Sequence, residues 1–219
     1  MTIDYSPLQI MNVLIKICGM RDADNIREVL TLTPDFMGFI FYPKSPRYVA
    51  SPEALKHIRF GQNTTKTGVF VNASEEDIMQ KVELYDLQAV QLHGNESAEL
   101  CSSLKSRGLI VLKAFQIHSA EDFKNAVRYN RQVDYFLFDT KTASYGGSGS
   151  KFDWSLLDVY HGDTPFFLSG GIGPDDAYAI QKINHPYFRG VDLNSRFETA
   201  PAIKDYELLQ QFIKQLNEL

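Results

Sequence analysis

The chain has 219 residues, of which 44% are hydrophobic and 22% charged, and this suits one compact domain with a sizeable core. Its formal net charge of -5 argues against a nucleic-acid-binding or membrane-surface protein, although local donors could still hold an anionic substrate. No apolar stretch approaches the roughly 20 residues of a membrane span, and the N-terminus lacks the pattern of a signal peptide.

Short runs rich in Val, Ile and Phe alternate with longer amphipathic segments along the chain. The predicted strands are residues 13–17, 36–40, 66–71, 87–92, 110–115, 133–139, 164–169 and 188–193. The predicted helices are residues 22–31, 52–60, 74–85, 96–107, 119–130, 153–161, 174–184 and 203–218. Strict alternation of this kind predicts parallel strands that are joined by crossover helices.

Two sheet architectures fit the alternation, an open doubly wound sheet and a closed barrel. The count of eight strands and the chain length favour the α/β class with a single (β/α)8 TIM barrel. An open dinucleotide-binding sheet is disfavoured because the first strand is followed by one glycine where that fingerprint needs three. We therefore predict an N-terminal extension at residues 1–12 and a barrel domain at residues 13–219.

In such a barrel the loops at the carboxyl ends of the strands form the active site. The loop after the seventh strand carries bare glycines and leads directly into a helix start, so its backbone N–H groups suit a phosphate, and residues at the end of the eighth strand complete the nest. The alternative is a plain glycine turn before a helix that begins with proline. The residues predicted to hold the phosphate are Ser169, Gly170, Gly171, Gly190, Asn194 and Ser195.

Cys18 ends the first strand and Asp139 ends the sixth, which lies three strands away around a closed ring. The two side chains would face each other across the barrel mouth, as a general base and a general acid do. Taken alone, Cys18 could be a core residue and Asp139 a solvated loop cap. A thiol acts as a base only when it is a thiolate, so we expect a lowered pKa for Cys18.

Lys16 shares the inward face of the first strand with Cys18, and Asp192 on the eighth strand is its predicted partner. The alternative places the amine of Lys16 in water between the helices and the sheet. The other cysteine, Cys101, is predicted to lie in the core. Two cysteines are too few for a disulfide framework or a cysteine-rich zinc site, which indicates the reducing cytoplasm.

Arg47 follows the second strand, where its guanidinium could clamp a carboxylate with two parallel hydrogen bonds. The alternative is an ordinary surface arginine. His93 is interpreted as a residue that shapes its loop and not as a catalyst. No pair of His or acidic residues has the spacing of metal ligands.

From residue 13 to the C-terminus the chain resembles the phosphoribosylanthranilate isomerase family. The motifs that carry the resemblance are "KICGM" (16–20), "FYPKSPRYV" (41–49), "VQLHGNE" (90–96), "FDT…GGSGSKFDW" (138–154), "LSGGI" (168–172) and "GVDLNSRFE" (190–198). The resemblance implies a barrel that performs an Amadori rearrangement of N-(5-phosphoribosyl)anthranilate without a cofactor. It also implies a phosphorylated small molecule as the partner, no nucleic acid or membrane, and a monomer or homodimer in the cytoplasm.

The resemblance further implies roles for individual residues. Asp139 would protonate the furanose ring oxygen, Cys18 would remove the proton from ribose C2, and Arg47 would face the anthranilate carboxylate. Gly146 and Gly147 belong to a "YGGSGS" loop that would close over the substrate. The motif "NSRFE" departs from the family pattern, because Arg196 and Phe197 stand where smaller residues are common.

Two alternatives remain at the level of sequence. The aminoimidazole-carboxamide isomerase of histidine biosynthesis runs the same rearrangement on another amine, but that family has an aspartate where this chain has Cys18. A catalytically silent sugar-phosphate-binding barrel is the alternative from another class, and the intact acid, base and phosphate residues argue against it.

Overall fold

The structure is a computed structural model that describes residues 13–140 and 153–218. Within these residues eight parallel strands pair in chain order and close into a barrel, which confirms the predicted (β/α)8 fold. The strands are β1 (Leu14–Cys18), β2 (Phe36–Ile40), β3 (Thr65–Phe70), β4 (Ala89–Leu92), β5 (Ile110–Ile117), β6 (Tyr135–Thr140), β7 (Phe166–Leu168) and β8 (Phe188–Leu193). Each begins and ends within two residues of its predicted limits.

The outer layer is less regular than the barrel. Its α-helices in the described ranges are α1 (Ala23–Leu30), α2 (Glu75–Tyr85), α3 (Ala98–Ser106), α4 (Asp122–Ala126), α5 (Ala177–Gln181) and α6 (Tyr206–Asn217). None of these helices is long and apolar enough to cross a membrane. Side-chain caps start several of them where the sequence predicts, since the Asp22 carboxylate accepts from the N–H groups of Asp24 and Asn25, and Ser74 Oγ accepts from Asp77 N.

Two predicted helices are wrong. The segment 52–60 contains only a short 3-10 helix at Pro52–Ala54, and the segment 153–161 contains one at Trp154–Val159. In the first segment the buried residues Leu55 and Ile58 are three apart, and Ile58 N donates to Leu55 O. That spacing suits the three-residue turn of a 3-10 helix, so the amphipathic pattern was satisfied without an α-helix.

The predicted last helix, 203–218, starts later than expected. An antiparallel hairpin of β9 (Glu198–Ala200) and β10 (Ile203–Lys204) precedes it, and α6 begins only after Asp205, whose carboxylate accepts from Leu208 N at 3.1 Å. The hairpin follows directly from the loop after β8. It therefore adds side chains to the mouth of the barrel that a helix would not have placed there.

The core has two layers. Inside the barrel a small cluster fills the lower part, and it consists of Phe36, Ala89, Leu112, Ala114, Leu137 and Phe167. A larger cluster lies between the barrel and the helices. Because Leu137 belongs to the inner cluster, the alternation along β6 directs Asp139 to the same face, one step nearer the carboxyl end. The packed interior leaves the carboxyl ends of the strands as the place for a site.

Candidate active site

A pocket of about 720 Å³, its open mouth included, lies at the carboxyl ends of the strands. Most of the residues predicted for the site line it, namely Cys18, Asp139, Ser169, Gly170, Gly171, Asp192, Asn194 and Ser195. These residues come from β1, β6, β7, β8 and the loops that follow them. The barrel thus brings together the thiol, the carboxylate and the glycine loops that are far apart in the sequence.

Cys18 lies at the end of β1, where its residue is 3% exposed and its side chain reaches the pocket. The neighbouring position on β2 is Gly38, where a Cβ would lie only 2.7 Å from the sulfur. Burial raises the pKa of the Cys18 thiol, and this effect outweighs the lowering by the Lys16 ammonium. The expected lowering of this pKa is therefore wrong, because burial raises it.

Lys16 lies on β1 with its side chain fully buried inside the barrel. Its Nζ atom is 2.8 Å from Oδ1 of Asp192, which confirms the predicted ion pair and excludes an amine that reaches water. Burial lowers the pKa of Lys16, but Asp192 and Cys18 together raise it by more than burial lowers it. The pKa of Lys16 is therefore above its ordinary value. A permanent cation therefore sits next to the thiol.

Asp139 is held by two neighbours at the pocket wall. Its Oδ1 atom accepts from the N–H of Thr140 at 2.8 Å, and its Oδ2 atom is 3.1 Å from Nε2 of His93. The other ring nitrogen of His93 is 2.9 Å from Nε2 of Gln91 on β4. The sequence interpretation gave His93 no catalytic contact and missed Gln91, although the alternation along β4 puts both residues on the inward face.

The loop after β7 has the backbone of an anion-binding turn. Gly170 and Gly171 have φ values of +83° and +70°, a region that glycine adopts without strain. A Cβ on Gly170 would lie 2.5 Å from both Oδ1 of Asp139 and Oγ1 of Thr140, so only glycine fits beside the acid. Within the described residues the N–H groups of Gly170 and Gly171 donate to no acceptor, and they are free to bind an anion.

Gly190, which was predicted to hold the phosphate, is not part of this wall. Gly190 lies deeper in β8 and does not line the pocket, and a Cβ on it would lie 2.6 Å from the ring of Phe167. Close packing inside the barrel is enough to require glycine at this position. Gly146 and Gly147 lie outside the residues that the structure describes.

Arg47 is 8% exposed and stands beside the pocket without lining it. The expected carboxylate clamp exists, but its carboxylate belongs to the protein. Nε of Arg47 donates to both carboxylate oxygens of Glu198 at 2.9 and 3.1 Å, and Nη2 donates to Oε2 at 2.6 Å. The alternative of an ordinary surface arginine is thereby excluded.

Glu198 in turn joins Arg47 to the rim of the glycine loops. Its Oε1 atom accepts from Nζ of Lys204 at 2.6 Å, and the same Nζ donates to Oδ1 of Asn194 at 2.9 Å. The sequence analysis missed Glu198 and Lys204, because it placed Lys204 in a helix and assigned no partner to the last residue of "NSRFE". The sequence does show charged residues shortly after the eighth strand, but sequence alone cannot distinguish charged residues of a site from those of a solvated loop.

Comparisons with known proteins agree with this arrangement. The model of the family described as N-(5'-phosphoribosyl)anthranilate (PRA) isomerase matches residues 15–215. The curated N-(5'-phosphoribosyl)anthranilate isomerase of Parabacteroides distasonis is 49% identical over 206 residues, which cover 93% of each chain.

Two solved structures are similar in both sequence and fold. Phosphoribosyl anthranilate isomerase from Thermotoga maritima is 37% identical with a TM-score of 0.82, and the match covers 94% of this chain and 100% of that one. A phosphoribosyl anthranilate isomerase in complex with reduced 1-(o-carboxyphenylamino)-1-deoxyribulose 5-phosphate is 33% identical with a TM-score of 0.79 and the same coverage. Both similarities extend over the whole barrel.

Proposed function

The chain belongs to the N-(5'-phosphoribosyl)anthranilate isomerase family of tryptophan biosynthesis, and we propose that Cys18 and Asp139 perform its rearrangement by general acid–base catalysis. The observation that carries the proposal is the placement of both groups on one pocket that also contains the free N–H groups of the glycine loop. The substrate is N-(5-phosphoribosyl)anthranilate, and the product is 1-(2-carboxyphenylamino)-1-deoxyribulose 5-phosphate.

The first step is the opening of the ribose ring. Asp139 gives its proton to the furanose oxygen, the bond from C1 to that oxygen breaks, and the lone pair of the anthranilate nitrogen forms an iminium ion with C1. The hydrogen bonds from Thr140 N and His93 fix the carboxyl group at the pocket wall. The acid is therefore already oriented for proton transfer to the ring oxygen. The carboxylate that remains is stabilised by the same two neighbours.

The second step is the removal of the proton from C2. Cys18 takes this proton, and the electron pair of the broken C2–H bond forms a C1–C2 double bond while the π electrons of the iminium group return to nitrogen. The resulting enolamine then tautomerises to the ketone. Burial raises the pKa of the Cys18 thiol, so the thiol must first lose its own proton to solvent before it can accept the proton from C2. The iminium cation formed in the first step, together with the buried ammonium of Lys16, favours the thiolate electrostatically. The order of acid first and base second follows from these charges.

The two ends of the substrate carry negative charges that the site can bind. We assign the phosphate to the loops that contain Ser169, Gly170 and Gly171 and, after β8, Asn194 and Ser195. We assign the anthranilate carboxylate to Arg47. A solved family member binds an analogue that carries both a carboxyphenyl and a phosphate group. Gly146 and Gly147 stay proposed members of a loop that covers the substrate, and Asp192 acts through Lys16.

The wider setting is also part of the proposal. The proposed assembly is a monomer or a homodimer. Residues 13–219 form the catalytic barrel and residues 1–12 an extension. The cytoplasm is the proposed compartment, and it is supported by two cysteines that are both free thiols.

The test is an activity assay with purified protein. Phosphoribosylanthranilate is fluorescent and its fluorescence is expected to disappear as the product forms. Decay faster than the spontaneous rate, in proportion to the enzyme concentration, is the expected result. Decay at the spontaneous rate would reject the function. The same preparation assayed with the substrate of the histidine-pathway isomerase tests the runner-up, for which we expect no comparable turnover because Cys18 replaces the aspartate of that family.

A further inference from the structure

We propose that Glu198 is a positioning residue for Arg47. Glu198 holds the guanidinium so that the edge carrying Nη1 faces the anthranilate carboxylate. This inference rests on the role proposed above for Arg47. It adds a residue that neither touches the substrate nor takes part in proton transfer, yet decides how strongly the enzyme recognises the carboxylate.

The contact between the two side chains uses one particular edge of the guanidinium. Glu198 binds Nε and Nη2, which form the side edge, at distances between 2.6 and 3.1 Å. Within the described residues Nη1 of Arg47 donates to no acceptor. An arginine has five N–H donors in a rigid plane, so fixing the side edge also fixes the direction of the end edge that Nη1 and Nη2 form. That end edge remains available to a second carboxylate.

Glu198 is itself held firmly. Oε1 accepts from Lys204 Nζ at 2.6 Å and from Ala202 N at 3.2 Å, so the carboxylate is bound to the turn and to the second strand of the hairpin. The backbone of Lys204 is anchored in turn to helix α1, because its N–H donates to Asn25 Oδ1 at 2.7 Å and its C=O accepts from Asn25 Nδ2 at 2.9 Å. Glu198 therefore transmits a fixed position from the body of the barrel to Arg47.

Two neighbouring cations, Arg47 and Lys204, keep the Glu198 carboxyl group ionised. Its burial alone would raise the carboxyl pKa, but the hydrogen bond from Arg47 and the charge of Lys204 lower it below the ordinary value. The carboxylate also separates two cations, Arg47 and Lys204, that would otherwise repel each other. A neutral side chain at position 198 would leave this repulsion uncompensated and release the guanidinium from its orientation.

The aliphatic part of the Arg47 side chain packs against Gly19, where a larger residue would not fit. Gly19 has a φ of +81°, and a Cβ there would lie 2.6 Å from Cδ of Arg47 and 2.8 Å from Oδ1 of Asn194. The guanidinium thus reaches Glu198 by passing directly over the turn that follows Cys18. Its direction is set by Glu198 at one end and by Gly19 along the stem.

The experiment measures binding of the product and of its analogue without the carboxylate, 1-phenylamino-1-deoxyribulose 5-phosphate, by titration calorimetry. For the wild type we expect at least ~10-fold tighter binding of the carboxylated compound, the range of one charge-assisted hydrogen bond. Arg47→Ala should abolish this preference, and Glu198→Gln should reduce it to ~3-fold or less although it leaves Arg47 in place. The matched control is Glu53→Gln, which makes the same charge change at an exposed ion pair and should leave the preference intact.

The outcomes separate this inference from the proposed function. A wild-type preference in Glu198→Gln would overturn the positioning role, whereas a preference that survives in Arg47→Ala would overturn the assignment of Arg47 itself. Binding of the analogue without the carboxylate should be unchanged in Glu198→Gln, because this compound lacks the group that Arg47 binds. A general loss of structure would instead weaken the binding of both compounds. If Glu198→Gln does not fold, Glu198→Asp tests the same point, since it keeps the charge but withdraws it by one methylene, and we expect a reduced preference there as well.

Discussion

The imidazole of His93 bridges the acid Asp139 to the inner wall of the barrel, with Nε2 of His93 3.1 Å from Oδ2 of Asp139. Nε2 of Gln91 lies 2.9 Å from the other ring nitrogen, while Oε1 of Gln91 is buried without a partner among the described residues. When Gln91 donates to Nδ1, the hydrogen of His93 is on Nε2 and points at the carboxylate. The amide of Gln91 thereby selects the tautomer that faces the acid.

His93→Asn should lower kcat/KM by ~10-fold, because among the described residues Asp139 then keeps only the hydrogen bond from its own neighbour Thr140 and loses part of its orientation. Steady-state fluorescence kinetics measure the effect. The control is His118→Asn, a change at an exposed histidine, which should be silent. Equal kinetics of the two variants would remove His93 from the account.

Gly38→Ala should reduce kcat by more than ~10-fold, because the added methyl would lie 2.7 Å from the sulfur of Cys18 and must displace it. The variant is compared with Gly61→Ala, where nothing lies within 4 Å of the added carbon. Circular dichroism checks that both variants fold. Normal turnover in a folded Gly38→Ala protein would mean that the position of the sulfur does not matter.

Lys16→Met should reduce the free energy of unfolding by about 3–5 kcal/mol, because it leaves Asp192 as a buried charge without its cation. The double variant Lys16→Met/Asp192→Asn should recover part of this loss, since the uncompensated charge is gone. Urea unfolding gives both values. A loss below about 1 kcal/mol in the single variant would show that the pair is not buried as described.

The stability of the protein should fall as the pH rises from 9 to 11, and Cys101 should contribute one proton to this dependence. Burial raises the pKa of the folded Cys101 thiol from 9.0 to about 11. Between these values the unfolded chain loses a proton that the folded protein keeps, so its free energy of unfolding falls with pH. Cys101→Ala should show a slope that is smaller by up to about 1.4 kcal/mol per pH unit. An unchanged slope would contradict a raised pKa.

The barrel and the faces of its strands could be predicted because they follow local periodicity. The pair of Lys16 and Asp192, 176 residues apart, was also accessible, since ring closure makes β1 and β8 neighbours and their alternation faces both side chains inward. Eight repeats of one pattern leave few alternatives for such contacts.

The parts that could not be predicted depend on loops and on the full environment of a charge. The pairing of Arg47 with Glu198 joins a loop residue to the first residue of β9, 151 positions away, and no periodicity predicts this contact. The second strand of the hairpin, β10, was included in the predicted helix 203–218 because its two residues carry no alternation of their own. The pKa of Cys18 was expected to fall because a thiol acts as a base only when it is a thiolate, but desolvation, which sequence does not reveal, raises it.

The most direct test of the central claim is the turnover of Asp139→Asn and Cys18→Ser, each measured by the fluorescence of phosphoribosylanthranilate. Both variants keep nearly the size of the original side chain and remove only its ability to give or take the proton. If the two groups are the acid and the base, each variant turns over at least ~100-fold more slowly than the wild type while binding of the product persists. A folded variant of either residue with near-normal turnover would contradict the mechanism.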